Sequence, residues 1–228
     1  MTHQPAGGSG RRPATPWGED PTSHTRTADT HESPTYPRSV SRIRIAPALA
    51  LFVLIALIAP PASASTIEDY ADYQPQSKCS PRAKPGTTYL GTTVVKRFGG
   101  GFGPISRPCS SGGTSEHKEG RAFDWMLDAT RKRDRKKARA FMDWVFATDK
   151  QGDTDARARR MGIMYVIWND HMYPAWNQFD PEPYLSSSCK SRKKCSTTLR
   201  HRDHLHISLT RAGGKGRTSW YDGRVPQG

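Results

Sequence analysis

The feature that most limits what this chain can fold into lies before its folded part. "IAPALALFVLIALIAP", Ile45 to Pro60, is an uncharged run of 16 residues preceded by Arg38, Arg42 and Arg44. It is short for a membrane span, which needs roughly 20 residues. "PASAS" follows at once, and Ala62-Ser63-Ala64 fits a small-x-small cleavage site. We read residues 45–64 as the apolar region and cleavage site of a signal peptide cut after Ala64, with an uncleaved N-terminal membrane anchor as the alternative. Residues 1–44 are rich in Pro, Ser, Thr and Gly and almost lack large aliphatics before Val40, the composition of a disordered leader. Folding is left to residues 65–228, enough chain for a single core.

Export changes the meaning of the cysteines. Cys79, Cys109, Cys189 and Cys195 are the only four, and an even count in an exported chain suggests two disulfides. Three pairings are formally possible. Cys189 and Cys195 bracket a short basic loop, "CKSRKKC", so 79–109 with 189–195 is the favoured pair. A zinc site built from the four cysteines is disfavoured, because no CxxC spacing occurs. After Ala64 the chain carries 29 basic and 17 acidic residues, net +12. An exported basic domain suits anionic partners such as cell-wall polymers, lipid headgroups or extracellular nucleic acid. Charge alone does not choose among them.

Residues 65–86 read as an extended lead-in held by Cys79, and residues 87–228 as the domain proper. "TTYLGTTVVKRFGGGFG" is ambiguous between strand and helix. "PISR" reads as the start of a strand ending at Cys109, and "SSGGTSEHKEG" as a loop. "RAFDWML" reads as a strand with Ala122, Asp124 and Met126 on one face. From Asp128 to about Phe146, Ala138, Phe141, Met142 and Val145 recur at helical spacing. The basic run "RKRDRKKARA" inside that stretch reads as a solvated helix face. "DTDARARRMG" reads as a second helix, capped by Asp153 or Thr154 and stopped by Gly162. "IMYVIW" and "LHISLT" read as strands, separated by a long loop from Asn169 to Arg202. The fold class is α+β, a small antiparallel sheet backed by one or two helices, with long disulfide-bonded loops.

Two stretches carry the chemistry. In "DHLHISL", His204 and His206 alternate along a strand and point the same way. In "SEHKEGRAFD", His117 and Asp124 flank Gly120, which allows a sharp turn between them. His117, Asp124 and His206 make a three-ligand set with one position open, the pattern of a catalytic zinc. His171 and His201 are further candidates, and His171 reads mainly as a surface-loop residue.

These two stretches resemble the SxHxxGxAxD and (D/E)xxHxH motifs of the LAS-type zinc peptidases. That superfamily spans lysostaphin-type enzymes, D-Ala-D-Ala metallopeptidases and the hedgehog signalling domain, and the D-Ala-D-Ala carboxypeptidase-like and phage-endolysin branch is the nearest. The resemblance runs from about Gly103 to Leu209. It implies Zn2+ bound by His117, Asp124 and His206, with Asp203 taking the proton from the attacking water. It implies that His204 faces the site and hydrogen-bonds the oxyanion or the water. Arg107 would contact the substrate carbonyl, and Ser115 the substrate. The chain departs from the pattern in two places. Asp203 is adjacent to His204, so it must precede the strand in a turn, and Trp125 replaces an expected aliphatic residue.

The function this implies is an exported, monomeric zinc metallopeptidase acting on peptidoglycan peptides or similar D-amino-acid amides. Its partner would be peptidoglycan or another anionic wall polymer. A zinc-stabilised, non-catalytic wall-binding module is the alternative. A nuclease is disfavoured, because no phosphate-directed base sits beside the histidines.

Overall fold

A computed structural model describes residues 67–226, all within one structural unit, Ala59–Gly228. The leader, the apolar run and the cleavage site lie outside the described residues. Among the described residues no helix is long and apolar enough to cross a membrane.

The architecture is α+β. Helix α1 spans Pro85–Phe98, followed by β1 (Gly101–Phe102), β2 (Ala122–Met126) and helix α2 (Lys132–Val145). Then come α3 (Ala156–Arg160), β3 (Ile163–Trp168), β4 (His171–Pro174), β5 (Glu182–Pro183), β6 (Leu205–Leu209) and α4 (Arg211–Lys215). The six strands form one sheet in the order β1-β2-β6-β3-β4-β5, antiparallel at every pairing. The last long strand therefore inserts between β2 and β3, which brings "LHISL" beside "AFDWM".

The ambiguous stretch is a helix. Pro85 sits in its first turn, where its missing N–H costs nothing. Thr87, Leu90, Gly91 and Val94 form its buried face at spacings of three and four. Gly91 is needed there, because a Cβ would lie 2.9–3.0 Å from ring atoms of Phe102 and Phe123. The helix begins at Pro85, within the stretch read as extended lead-in.

Helices α1 and α2 cover one face of the sheet. Phe123, Trp125, Val166, Trp168, Leu205, Ile207 and Leu209 join Leu90, Val94, Phe141 and Val145 in one core. Phe141 is fully buried, with the rings of Phe98 and Trp125 at 5.9 and 5.7 Å. Side chains of that kind each stabilise by about 1.5–3 kcal/mol through burial. The charged run of α2 faces water, as its spacing implies, with Lys132, Arg133, Lys136 and Arg139 exposed.

Several local expectations change. No strand runs from Pro104 to Cys109; Pro104 and Pro108 lack the N–H a ladder needs, and the edge strand is Gly101–Phe102 instead. Residues Glu116–Glu119 form a 3-10 turn rather than an open loop. Helix α3 is capped at Asp155, which has a left-handed φ of 54° and accepts a hydrogen bond from Tyr70 Oη (2.6 Å). The long loop after Trp168 contains β4 and β5. Its first turn is a two-residue hairpin, Asn169–Asp170, with φ of 48° and 67°, the left-handed pair that joins twisted strands tightly.

That hairpin also holds the chain leading into β6. Asn169 N–H donates to the His201 carbonyl (2.8 Å) and Asp170 N–H to the Arg200 carbonyl (3.1 Å). The Asp170 carboxylate takes two hydrogen bonds from the Arg200 guanidinium, both 2.8 Å. These bonds hold Asp170 below the usual carboxylate range, outweighing burial. A depressed carboxyl stabilises above its unfolded pKa and loses that contribution as pH falls through the folded value. Asp170→Asn tolerates the same backbone and is expected to cost about 1 kcal/mol at neutral pH. Urea titrations of both proteins should converge as pH drops below about 4; a constant gap would locate the effect elsewhere.

Both favoured disulfides are formed, Cys79–Cys109 and Cys189–Cys195, and no described cysteine is free. Two formed disulfides fit an oxidising compartment. The first closes 30 residues and the second 6. Loop entropy assigns them about 3.6 and about 2.2 kcal/mol. The larger contribution comes from the bridge that pins the lead-in to the Arg107 loop.

Candidate metal centre

The antiparallel register of β2 and β6 sets Asp124 directly opposite His206. His117 reaches the same point from the 3-10 turn Glu116–Glu119, which ends at Gly120 in a left-handed conformation (φ 65°). Any side chain at Gly120 would drive its Cβ to 2.0 Å from the Arg82 carbonyl oxygen, so the turn and the lead-in touch there.

Three donor atoms converge. His117 Nε2 is 3.1 Å from Asp124 Oδ1 and 3.2 Å from His206 Nδ1, and His206 Nδ1 is 2.9 Å from Asp124 Oδ1. All three residues are buried. Ligands about 2.0–2.1 Å from a tetrahedral zinc are separated by roughly 3.3 Å. The three atoms thus form one nearly correct face of such a tetrahedron and leave its fourth corner open.

The far side of each imidazole is also set. His117 Nδ1 lies 2.9 Å from the Ile105 carbonyl. A carbonyl can only accept, so Nδ1 carries a proton and Nε2 is the ring atom turned to the centre. His206 Nε2 lies 2.9 Å from Ser208 Oγ, which leaves Nδ1 facing inward. Such outer partners fix the rings of metal-binding histidines. Burial pushes the Asp124 carboxyl up, but the His117 and His206 imidazoles at 3.1 and 2.9 Å outweigh it and hold Asp124 far below the usual carboxylate range. Burial pushes His206 down, toward its neutral, ligating form. The residues fit a divalent metal.

His204 shares the face of His206. Its Nε2 lies 3.7 Å from Asp124 Oδ1, and its Nδ1 lies 2.7 Å from Asp203 Oδ1. Asp203 sits in the bend before β6, where its adjacency to His204 required it, and its other oxygen accepts from Thr198 Oγ1 (2.6 Å). Burial raises Asp203, but the hydrogen bonds from Thr198 and His204 hold it below the usual carboxylate range. The carboxylate is therefore one imidazole removed from the centre. Arg107 and Ser115 are neighbours in chain rather than members. The Arg107 side chain is exposed, and only its backbone N–H reaches the site, donating to the His117 carbonyl (3.3 Å). Ser115 is half-buried, and its N–H donates to Gln76 Oε1 (2.9 Å).

His201 belongs to the site more closely than its place in the sequence suggested. Its ring lies 4.8 Å from that of His204 and 5.4 Å from that of His206. Burial, with the neighbouring imidazoles, pushes it down to about 2, and its Nδ1 has no hydrogen-bond partner among the described residues. His171 does not belong: it pairs with Trp168, on the helix-covered face of the sheet.

Beneath the centre lies a buried polar layer that sequence reading did not single out. Tyr165 stacks on His206, ring centroids 5.6 Å apart, and donates to Glu116 Oε2 (2.6 Å). Arg121 Nε donates to Glu119 Oε2 (2.7 Å), and Arg121 Nη2 is 3.8 Å from Glu116 Oε1. The one signal for it was the density of charge in "EHKEGR" ahead of a buried strand.

Fold and site together define an α+β domain whose antiparallel sheet carries a buried His/Asp/His group able to hold a metal. Residues 79–188, slightly less than half the chain, are similar to a family described as VldE, C-terminal domain. That span takes in His117 and Asp124 and stops short of Asp203, His204 and His206. No curated protein and no solved structure matches the chain.

Proposed function

We propose that this protein is an exported zinc-dependent peptidase that hydrolyses peptidoglycan peptides or similar D-amino-acid-containing amide bonds. The observation that carries the reading is the three-atom face of His117 Nε2, Asp124 Oδ1 and His206 Nδ1, with the Asp203-paired His204 Nε2 3.7 Å from Asp124 Oδ1. Zinc held there would supply Lewis acidity, polarising an amide carbonyl and bringing the pKa of a water down to about 7.

The remaining work falls to the chain. His204 Nε2, 3.7 Å from Asp124 Oδ1, would take the proton of the attacking water and then return it to the leaving amine. Asp203 acts through His204: it accepts from Nδ1–H, fixing the tautomer that leaves Nε2 free, and it stabilises the imidazolium. This modifies the direct proton transfer to Asp203 that the family resemblance implies. Asp203 is anchored by Thr198, and burial of Asp124 and His206 excludes bulk water from one side. Ser115 and Arg107 lie on the loop beside His117, where they would meet the substrate backbone. The apolar run Ile45–Pro60 with its small-x-small site at Ala62–Ala64, the two disulfides and the net charge of +12 after Ala64 support export to the cell wall and a peptidoglycan partner. The second reading, a zinc-stabilised binding module without turnover, is favoured by one observation, the exposed side chain of Arg107.

Purified muropeptides with the oxidised, zinc-loaded protein are the test. His204→Ala is expected to lower the hydrolysis rate by about 10²–10⁴-fold with zinc content intact. Asp203→Asn is expected to lose a comparable share through the wrong tautomer. Full activity in either variant would overturn this mechanism, and no hydrolysis by the zinc-loaded wild type would favour the binding module.

A further inference from the structure

Tyr73 and Trp176 are among the few large hydrophobic residues that stay exposed, at 51% and 41%. Single exposed aromatics are ordinary, but these two touch each other and lead to the metal centre. Their ring centroids are 5.5 Å apart with planes at 65°, an edge-to-face corner. Tyr165 forms its floor, 6.5 Å from Tyr73 and 6.1 Å from Trp176. Tyr165 in turn stacks on the ligand His206. A continuous chain of ring contacts thus runs from the buried centre out to the exposed Tyr73 and Trp176.

Both walls are rigid. Gln74, next to Tyr73, donates its N–H to Met164 Sδ, and its carbonyl accepts from Arg121. Trp176 rides on the 3-10 turn Ala175–Asn177, which is closed by Gln178 and Phe179 at left-handed φ of 51° and 58°. Two successive non-glycine residues in that region carry a conformational cost. Phe179 is buried against Phe146, 4.7 Å between centroids, and locks the turn so that Trp176 stays outward. The chain neighbours of the two rings, Asp72 next to Tyr73 and Asn177 and Gln178 after Trp176, are exposed polar residues.

We propose that this corner is a saccharide subsite, which seats one pyranose ring of a neutral N-acetylated aminosugar chain next to the metal centre. A pyranose has an apolar C–H face and a rim of hydroxyl and amide groups. The aromatic walls match the face, and the amides and carboxylate match the rim. The proposal deepens the peptidase reading, because it places the glycan of a peptidoglycan substrate beside its peptide.

The test measures binding and needs no turnover. Titrate the intact, oxidised, zinc-loaded protein with a peptide-free chitin-type oligosaccharide and follow tryptophan fluorescence and heat. Saturable binding is expected, with Trp176→Ala and Tyr73→Ala each weakening it at least tenfold and Trp176→Phe retaining most of it. Zinc content and thermal melting of the variants establish that the fold is kept. No binding by the wild type, or equal binding by both alanine variants, overturns the subsite. Losses seen with glycan-free peptides but not with the oligosaccharide would also overturn it, reassigning the corner to peptide. Glycan binding by a protein that hydrolyses nothing would leave the subsite standing and sink the peptidase.

Discussion

Arg121→Ala is expected to destabilise the domain by about 3–5 kcal/mol, the range for removing one partner of a buried ion pair. Arg121 is 2% exposed. Its Nε donates to Glu119, its Nη1 to the Leu209 carbonyl (2.7 Å), and its Nη2 to the Gln74 carbonyl. One guanidinium therefore ties together the turn that carries His117, the end of β6 and the lead-in. Removal takes the guanidinium from between the buried Glu119 and Glu116, and takes its donors from two carbonyls. The pH dependence follows from the same groups. Burial pushes Glu119 up, but Arg121 and Ser77 hold it below the usual carboxylate range, so in the wild type its stabilisation is present above the unfolded pKa and fades in acid. In the variant the carboxyl loses the Arg121 share of that support, so less stability is lost as Glu119 protonates. Both effects make the gap largest at neutral pH and smaller in acid. Urea unfolding at pH 7 and about pH 4 checks this. The double variant Arg121→Met/Glu119→Gln should recover part of the loss, since it removes the buried charge with its partner. A loss below about 1 kcal/mol at neutral pH would mean water reaches the cluster.

That cluster also marks where reading the sequence reached its limit. The metal centre was legible because each half is local: two histidines at strand period in "DHLHISL", and His117 and Asp124 within eight residues around a glycine. Strands β2, β3 and β6 were legible as dense apolar runs, and α2 by its spacing. What failed was whatever depends on residues far apart. Helix α1 is rich in Thr and Val, which favour strands locally, and its helical state is decided by packing of Leu90, Gly91 and Val94 on the sheet. Strands β4 and β5 hid behind Asn169–Asp170, a tight turn without the usual glycine. Arg121 meets partners from the lead-in, its own turn and the end of β6, 47 and 88 positions apart from it at the extremes. No window of sequence holds them all. The placement of Asp203 was half legible: adjacency to His204 forced it into a turn, but only the fold revealed that its carboxylate faces His204.

Zinc is expected to raise the thermal midpoint of the wild type and to leave His206→Ala unmoved. A ligand that binds only the folded state stabilises by about 2.7 kcal/mol at a hundredfold excess over Kd and about 4.1 at a thousandfold. For a domain of this size each kcal/mol is worth about 2–4 °C, so the shift should reach roughly 5–15 °C and reverse with a chelator. His206→Ala removes one of three donors and the stacking partner of Tyr165, so its melting should be lower and independent of zinc. The Ser208→Ala variant separates ligation from support. It keeps all three donor atoms but deprives His206 Nε2 of its partner at 2.9 Å, and outer partners of this kind are worth about 10–100-fold in metal affinity. Its midpoint should rise with zinc, but only at correspondingly higher concentration. Acid should weaken every shift, because protons compete with the metal for His117 Nε2 and His206 Nδ1. An equal zinc response in wild type and His206→Ala would place the metal elsewhere on the chain. No response in the wild type would mean that Asp124 and the two imidazoles are held by their own hydrogen bonds, a buried polar triad with no metal to complete it.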